Sequence, residues 1–424
     1  MALSPNFFDH HPLVNIPMGS LEATNILGHV VCFGMDFLSL TGRVFMAHDA
    51  SGHELAFLSS RGSSSSSVGS AICDDKSLTK SLLSHYGIPS APSRRVLSLD
   101  SAEATEFVEE HGWPVVVKPI RGIGGKGVTA NIQTLEQLQR AAQQASGPRG
   151  YLIERHVPGD DYRFLVLAGR VLGVWGKTAA NVVGDGKSSI SELIDLKNQI
   201  RANNPHVAAR LIKKDTLVRD HLEYSGLDLE HVPDEGTTVT LRSASNLSSG
   251  GDNVEITDSV HPSFKDIAVE AAAAIPDIEL LGLDILLEDP FRPADEQQVN
   301  ICEINHNPGI SAHDFPLFGP PRETAREYIE HLLARKGAEI PEHRSRRSYR
   351  IVIEGSADLE ELARLTQELE EKLSLTCSSV QSLPEGPAFD VEGSGMAIAT
   401  MVNILMRSQQ KIGSIDALSG KLCP

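Results

Sequence analysis

Two acidic residues and an amide stand where a divalent cation could be held. The segment Glu303-Ile-Asn305-His-Asn-Pro-Gly309 ends an apolar strand read over 299–305, and a second apolar run, 280–287, carries Asp284 at its middle. Side chains two apart on a strand share a face, so Glu303 and Asn305 point the same way and Cys302 points away, into the core. Asp284, Glu303 and Asn305 are oxygen ligands of the kind a hard cation takes. Mg2+ with few protein ligands usually accompanies substrate phosphates.

A second group suits those phosphates. Lys118 ends the apolar strand 114–118, and Arg121-Gly122-Ile-Gly124-Gly125-Lys126-Gly127 follows at once. Glycines let backbone amides approach phosphate oxygens closely. The spacing fits neither the dinucleotide fingerprint nor the Walker A loop. Flanked by Lys118 and followed by the motif at 151–163, the segment reads as a glycine-rich hairpin covering a triphosphate. In Tyr151-Leu-Ile-Glu154-Arg155-His156-Val157-Pro-Gly-Asp-Asp161, backbone groups of 154–157 can pair with an adenine and Asp161 with ribose hydroxyls.

The elements that must position these groups alternate between helix and strand. A helix read over 74–86 ends at Gly87 and Pro89. Helices follow at 102–111 and 134–145, and strands at 114–118, 127–132, 151–155, 162–167 and 170–176. Residues 180–260 read as polar and loop-rich. A helix at 263–275 precedes the two metal-site strands, and another at 322–335 follows them. In the first 70 residues, 29–33 and 55–58 read as short strands and 63–67 as a serine-rich linker. Beyond 348 the pattern is strand, amphipathic helix, two strands, helix. The leucines at 359, 362, 365, 369 and 373 read as core packing, with a dimer interface, and hence a homo-oligomer, as the alternative. The expected fold class is α+β, divided into 1–72, 73–337 with a lid subdomain at about 114–180, a linker at 338–348, and a small domain at 349–424.

The 424 residues carry a formal net charge of −18, which excludes nonspecific nucleic-acid or anionic-membrane binding. Five scattered cysteines without a C-x-x-C point to a reducing, cytoplasmic setting. The N-terminus lacks the basic-then-apolar pattern of a signal peptide, and no stretch of about 18 apolar residues could span a membrane.

Taken in order, D-K76-x-x-T-K80, V-V-V-K118-P, G-x-G-G-K-G127, E154-R-x-V-P-G-D-D161-Y-R163, L-R242-S-A-S-N246-L-S-S-G-G, G-L-D284 and E303-I-N305-x-N-P-G resemble the ATP-grasp superfamily. Within it the chain is similar to the ATP-grasp module of cyanophycin synthetases, and more distantly to those of glutathione synthetase-type ligases. The likeness covers about 70–335. It implies an ATP-grasp fold, two α+β subdomains clamping ATP, and a carboxylate–amine ligase that uses ATP with Mg2+ or Mn2+. The product would be an amide formed through an acyl phosphate, with ADP and phosphate released. Amino acids or peptides would be the substrates. The resemblance further implies that Arg242 holds a carboxylate or phosphoryl group, that Asn246 lies in a loop around the acyl phosphate, that Lys76 binds the phosphates with Lys118, and that Lys177 is a third phosphate cation. Residues 349–424 show no P-loop, so one ATP site and a single ligation are expected. The competing readings are a carboxylate kinase, a ligase with a non-amine acceptor, and an ATP-binding regulator without catalysis. His261, before a proline, reads as structural.

Overall fold

The computed structural model describes residues 4–122, 127–144, 149–242 and 247–423. The chain forms two compact units, each assembled from separated stretches. One comprises 64–176 and 256–308; the other comprises 1–63, 177–255 and 309–424.

In the first unit, the helix Lys76–His85 starts where the Asp75 carboxylate accepts the N–H groups of Ser77 and Leu78. It ends before Gly87, whose φ of +69° suits the left-handed turn after a helix. Strands Ser93–Val96, Tyr151–Arg155, Val115–Pro119 and Thr129–Ile132 form an antiparallel sheet in that spatial order. A second antiparallel arrangement runs Arg170–Thr178, Asp160–Leu167, Leu280–Leu287, Asn300–Asn305. One face of it carries Phe164, Leu281, Leu283, Ile285, Ile301 and Ile304, all buried, against which the helix Pro262–Ala273 packs Phe264 and Ala268. The other face carries Asp161, Arg163, Asp284, Glu303 and Asn305. Of the stretch read as a linker, 63–66 is turn and loop, and Ser67 begins the helix Ser67–Asp74, where the Ser66 hydroxyl accepts the N–H groups of Val68 and Gly69.

In the other unit, strands from both chain ends share one antiparallel sheet. Asp36–Ser39 lies between Val44–His48 and Gly413–Leu422, and the latter pairs with Arg346–Ala357. The strand expected at 29–33 is the last turn of the helix Met18–Cys32. Its β-branched Val30 and Val31 suit a strand taken alone, but a helix buried on nearly all sides tolerates them, and both are fully buried. Residues 180–260 are more ordered than their polarity suggests. Ser189 and Glu192 form a reciprocal capping box that starts the helix Ile190–Ala202, and Asp215 caps Thr216–Tyr224. Among the described residues, no helix is long and apolar enough to cross a membrane.

Candidate active site

Asp284 and Glu303 are directly paired across two antiparallel strands, and Gly282 pairs with Asn305. The next pair is Ile285 with Ile301, so Cys302 has no partner and forms a β-bulge. The bulge resets the alternation. Ile301 and Ile304 both enter the core, whereas Cys302, Glu303 and Asn305 are half-buried on the polar side. The sequence expectation for Cys302 is therefore corrected, because strict period-two alternation does not survive an inserted residue. Burial pushes the Cys302 thiol up to about 11, with Lys118 drawing it down and Glu154 pushing it up.

Arg163 lies on the neighbouring strand, opposite Asp284. It donates Nε to Asp284 Oδ1 at 2.5 Å and Nη2 to Oδ2 at 2.9 Å. Burial opposes its charge, but Asp284, then Asp161 and Glu303, hold the guanidinium firmly protonated. A Cβ on Gly282 would stand 2.8 Å from Pro308 and 3.3 Å from Arg163, so only glycine lets this side chain lie across the strand.

The lysines converge on a different carboxylate. Lys80 Nζ donates to Glu154 Oε1 at 3.0 Å, to Asn300 Oδ1 at 3.1 Å and to the Ile301 carbonyl at 2.8 Å. Lys118 Nζ donates to Glu154 Oε2 at 2.9 Å. Burial works against all three charges, yet the two ammonium groups hold the Glu154 carboxyl low. Burial prevails at Lys80, which is drawn down, while the negative partners prevail at Lys118, which is raised. Lys76, one helical turn before Lys80, donates to the Gly122 carbonyl at 3.1 Å and stands 3.7 Å from Glu303 Oε2. Lys76 thus links Gly122, at the start of the glycine-rich segment, to the strand that carries Glu303.

In the segment read as adenine-binding, the Arg155 N–H donates to the Pro92 carbonyl and the His156 N–H to that of Pro114. Val157 supplies the next N–H along the chain. Glu154, expected there for its backbone, has its carboxylate in the lysine cluster instead. Gly127 has a φ of +73°, and a Cβ there would press on Pro119 at 2.9 Å. Gly124, Gly125, Lys126 and Asn246 lie outside the described residues. Lys177 and Arg242 belong to the other unit. There Arg242 Nη2 donates to Asp215 Oδ2 at 2.5 Å. His261 is structural as expected, its ring accepting the Ser263 N–H at the start of a helix.

Sequence reasoning quoted Lys80 and Arg163 but gave them no role, and passed over Asn300. Their apolar flanks are the available signal, since an isolated cation or amide inside a buried element needs a polar partner.

The residues fit a cation on their own chemistry. Asp284 and Glu303 are paired across the strands and Asn305 lies two positions from Glu303 on the same face, so three side chains with oxygen donors share that face.

Comparison with known proteins follows the same lines. The family model "Carbamoyl-phosphate synthase L chain, ATP binding domain" matches residues 75–163. The cyanophycin synthetase of Trichormus variabilis is 36% identical over 272 residues, covering 62% of this chain and 30% of that protein. The glutathione biosynthesis bifunctional protein of Clostridium perfringens is 30% identical over 275 residues, covering 64% of this chain and 35% of that protein. The chain thus spans about a third of the length of these curated relatives. The crystal structure of a bifunctional glutathione synthetase from Pasteurella multocida superposes with a TM-score of 0.60 at 26% identity, over 76% of this chain and 44% of that one. The family-model match over 75–163 and the likeness to these proteins make an ATP-grasp domain the part of this chain that the comparisons show.

Proposed function

We propose that this protein is an ATP-dependent ligase joining the carboxylate of an amino acid or peptide to an amine, with ADP and phosphate as products. The observation that carries the reading is the pairing of Asp284 with Glu303, with Asn305 beside them and Lys76 at 3.7 Å. Cation ligands and a phosphate-seeking ammonium share one polar face. The ligase module is taken as 73–337. Five free cysteines suit action in a reducing cytoplasm.

Asp284, Glu303 and Asn305 would hold Mg2+, which when bound neutralises charge developing on the β- and γ-phosphate oxygens. Lys118 and Lys76 bind the phosphates as point charges. Backbone groups of 154–157, with Val157 supplying the N–H, pair with the adenine, and Asp161 takes the ribose. Gly122 and Gly127 belong to the glycine-rich segment assigned to the phosphates. A carboxylate oxygen attacks the γ-phosphorus as the bond to ADP breaks. The amine then attacks the acyl carbon, loses a proton and expels phosphate. Arg242 is assigned to the carboxylate or its phosphorylated form, Lys177 to the phosphates and Asn246 to the acyl phosphate.

The test supplies ATP, Mg2+ and an amino-acid panel labelled with 18O in the carboxylate, with mass spectrometry of all products. The expected outcome is an amide, ADP and phosphate containing one 18O atom, abolished in Glu303→Gln. Formation of AMP and pyrophosphate overturns the reading. ATP consumption without an amine product assigns a carboxylate kinase instead.

A further inference from the structure

The sheet built from both chain ends has one face packed on helices and one face that breaks the usual pattern of a solvated sheet. Its strands run in the spatial order Gly386–Ser394, Arg346–Ala357, Gly413–Leu422, Asp36–Ser39, Val44–His48, Glu54–Leu58. Phe37, Phe45, Phe57 and Tyr349 are buried on the inner face. There the Tyr349 hydroxyl donates to the carbonyls of Val31 and Met35, at and just beyond the end of the helix Met18–Cys32. On the outer face, cross-strand partners form rows. One row, in the strand order given, is Ala388, Val352, Ser419, Leu38, Met46, Ala56, each in register with the next. An antiparallel face left to water alternates apolar-in with polar-out. This row is apolar except at Ser419, and Val352, Leu38, Met46 and Ala56 are only half-buried.

The next outer row carries charge. In the same strand order it is Asp390, Arg350, Lys421, Asp36, His48, Glu54. Arg350 is in register with Asp390 and Lys421, and His48 with Asp36 and Glu54. Continuing the register of Phe37 with Gly420 sets Asp36 opposite Lys421. Arg350 is satisfied within the chain, donating Nε and Nη2 to the Asp390 carboxylate at 2.8 and 2.9 Å. Lys421 has no carboxylate at salt-bridge distance among the described residues. A partner for this face must be apolar along one line and carry both signs of charge along the next. An anionic membrane or a nucleic acid does not fit that description. The same face turned over does.

We infer that this outer face packs on the same face of a second copy of the chain, about a two-fold axis that runs along the strands between Gly413–Leu422 and Asp36–Ser39. Such an axis lays each row on its own counterpart and reverses the strand order. Lys421 then faces Asp36 of the partner subunit, and Asp36 faces Lys421 of the partner subunit. In the apolar row, Met46 meets Val352 of the partner subunit, Leu38 meets the small Ser419 of the partner subunit, and Ala56 meets Ala388 of the partner subunit. At the edge of the charged row Asp390 and Glu54 are alike in sign. Asp390 is already neutralised by Arg350, and the rotation of about 30° between packed sheets carries that edge apart. Six strands about 4.8 Å apart, and three rows about 6.7 Å apart counting the one that holds Val44 and Leu58, offer roughly 600 Å² per copy. A total of about 1,200 Å² reaches the range of specific, stable interfaces. The helix Leu359–Leu373 does not compete for this role, because its Leu362, Leu369 and Leu373 are buried.

The test is sedimentation velocity of the full chain without nucleotide. The wild type is expected to sediment with twice the mass of one chain. Met46→Glu, within the apolar row, should be monomeric at the same concentration. Lys421→Glu sets two acidic pairs across the axis and Asp36→Lys two basic ones, so each variant alone should lose at least about tenfold in dimer affinity. An equimolar mixture of these two should recover the dimer, because every contact across the axis then joins opposite charges. A misfolded variant would not recover on mixing, so the mixture separates a lost interface from a lost fold. A monomeric wild type, a dimeric Met46→Glu, charge variants that dimerise as tightly as the wild type, or no dimer on mixing overturns the assignment. Loss of the dimer in Leu359→Glu but not in Met46→Glu gives the interface to the helix Leu359–Leu373 instead.

Discussion

Asp284 faces Glu303 across a ladder that skips one residue beside them, and the nearest cation to Asp284 is a protein side chain, Arg163, gripping both of its oxygens. Arg163 is thus the structural counter-ion for a face that also bears Asp161 and Glu303. Replacing it by methionine leaves three carboxylates without that compensation. Arg163→Met should melt at a lower temperature than the wild type in EDTA, and millimolar Mg2+ should raise its Tm several degrees more than it raises that of the wild type. Adding Glu303→Gln should cancel the extra gain. Equal Mg2+ shifts in all three proteins, measured by scanning calorimetry, would remove the cation from this face.

Glu154 binds Lys80 and Lys118 at once, but the two lysines differ in need. Lys80 has 3% of its side chain exposed, against 12% for Lys118. Glu154→Gln leaves a buried ammonium without its carboxylate and should destabilise the first unit by about 3–5 kcal/mol. Lys118→Met leaves Glu154 paired with Lys80 and should cost clearly less, while weakening ATP binding at least tenfold by removing a phosphate cation. Urea denaturation and nucleotide titration of both variants separate the two roles. Equal stability losses would contradict the division of labour.

Much of this arrangement is legible along the chain because it is local. The apolar runs holding Lys118, Asp284 and Glu303 announce buried strands, and Asp75 and Gly87 bracket their helix by ordinary capping chemistry. The Ser189–Glu192 capping box was equally readable, and only the polarity around it hid the helix it starts. What stays hidden is non-local. Nothing near Glu154 says that lysines 74 and 36 residues away will meet on it. Nothing in 413–422 says that this strand will slot beside 36–39. The bulge at Cys302 is invisible for the same reason, since its existence depends on the partner strand's register. Period-two reasoning still placed Glu303 with Asn305 because both lie beyond the inserted residue.

Asp314 gives the fold a pH dependence that can be isolated. It ends the short helix Ser311–Asp314, is buried, and accepts from Asn25 Nδ2, the Thr324 hydroxyl and the Thr324 N–H at 2.6–2.7 Å. Burial pushes its carboxyl up to about 7, and the donors from Thr324 and Asn25 only partly offset this. In the unfolded chain the same carboxyl titrates at about 3.9. Between those two values the folded state holds a proton that the unfolded state has released, so stability from this group is fully present below about 4 and declines as pH rises toward 7. The difference between pH 5 and pH 8 is on the order of 2 kcal/mol. Asp314→Asn cannot titrate, whatever fixed cost its extra N–H donors carry. The stability of the variant relative to the wild type should therefore improve from pH 5 to pH 8, measured by urea denaturation at both values with Mg2+ absent. Taking the difference cancels contributions from other groups, including Glu22, which burial also raises. A relative stability that stays flat, or worsens with rising pH, would mean that the donors around Asp314 win and the carboxyl is ionised throughout.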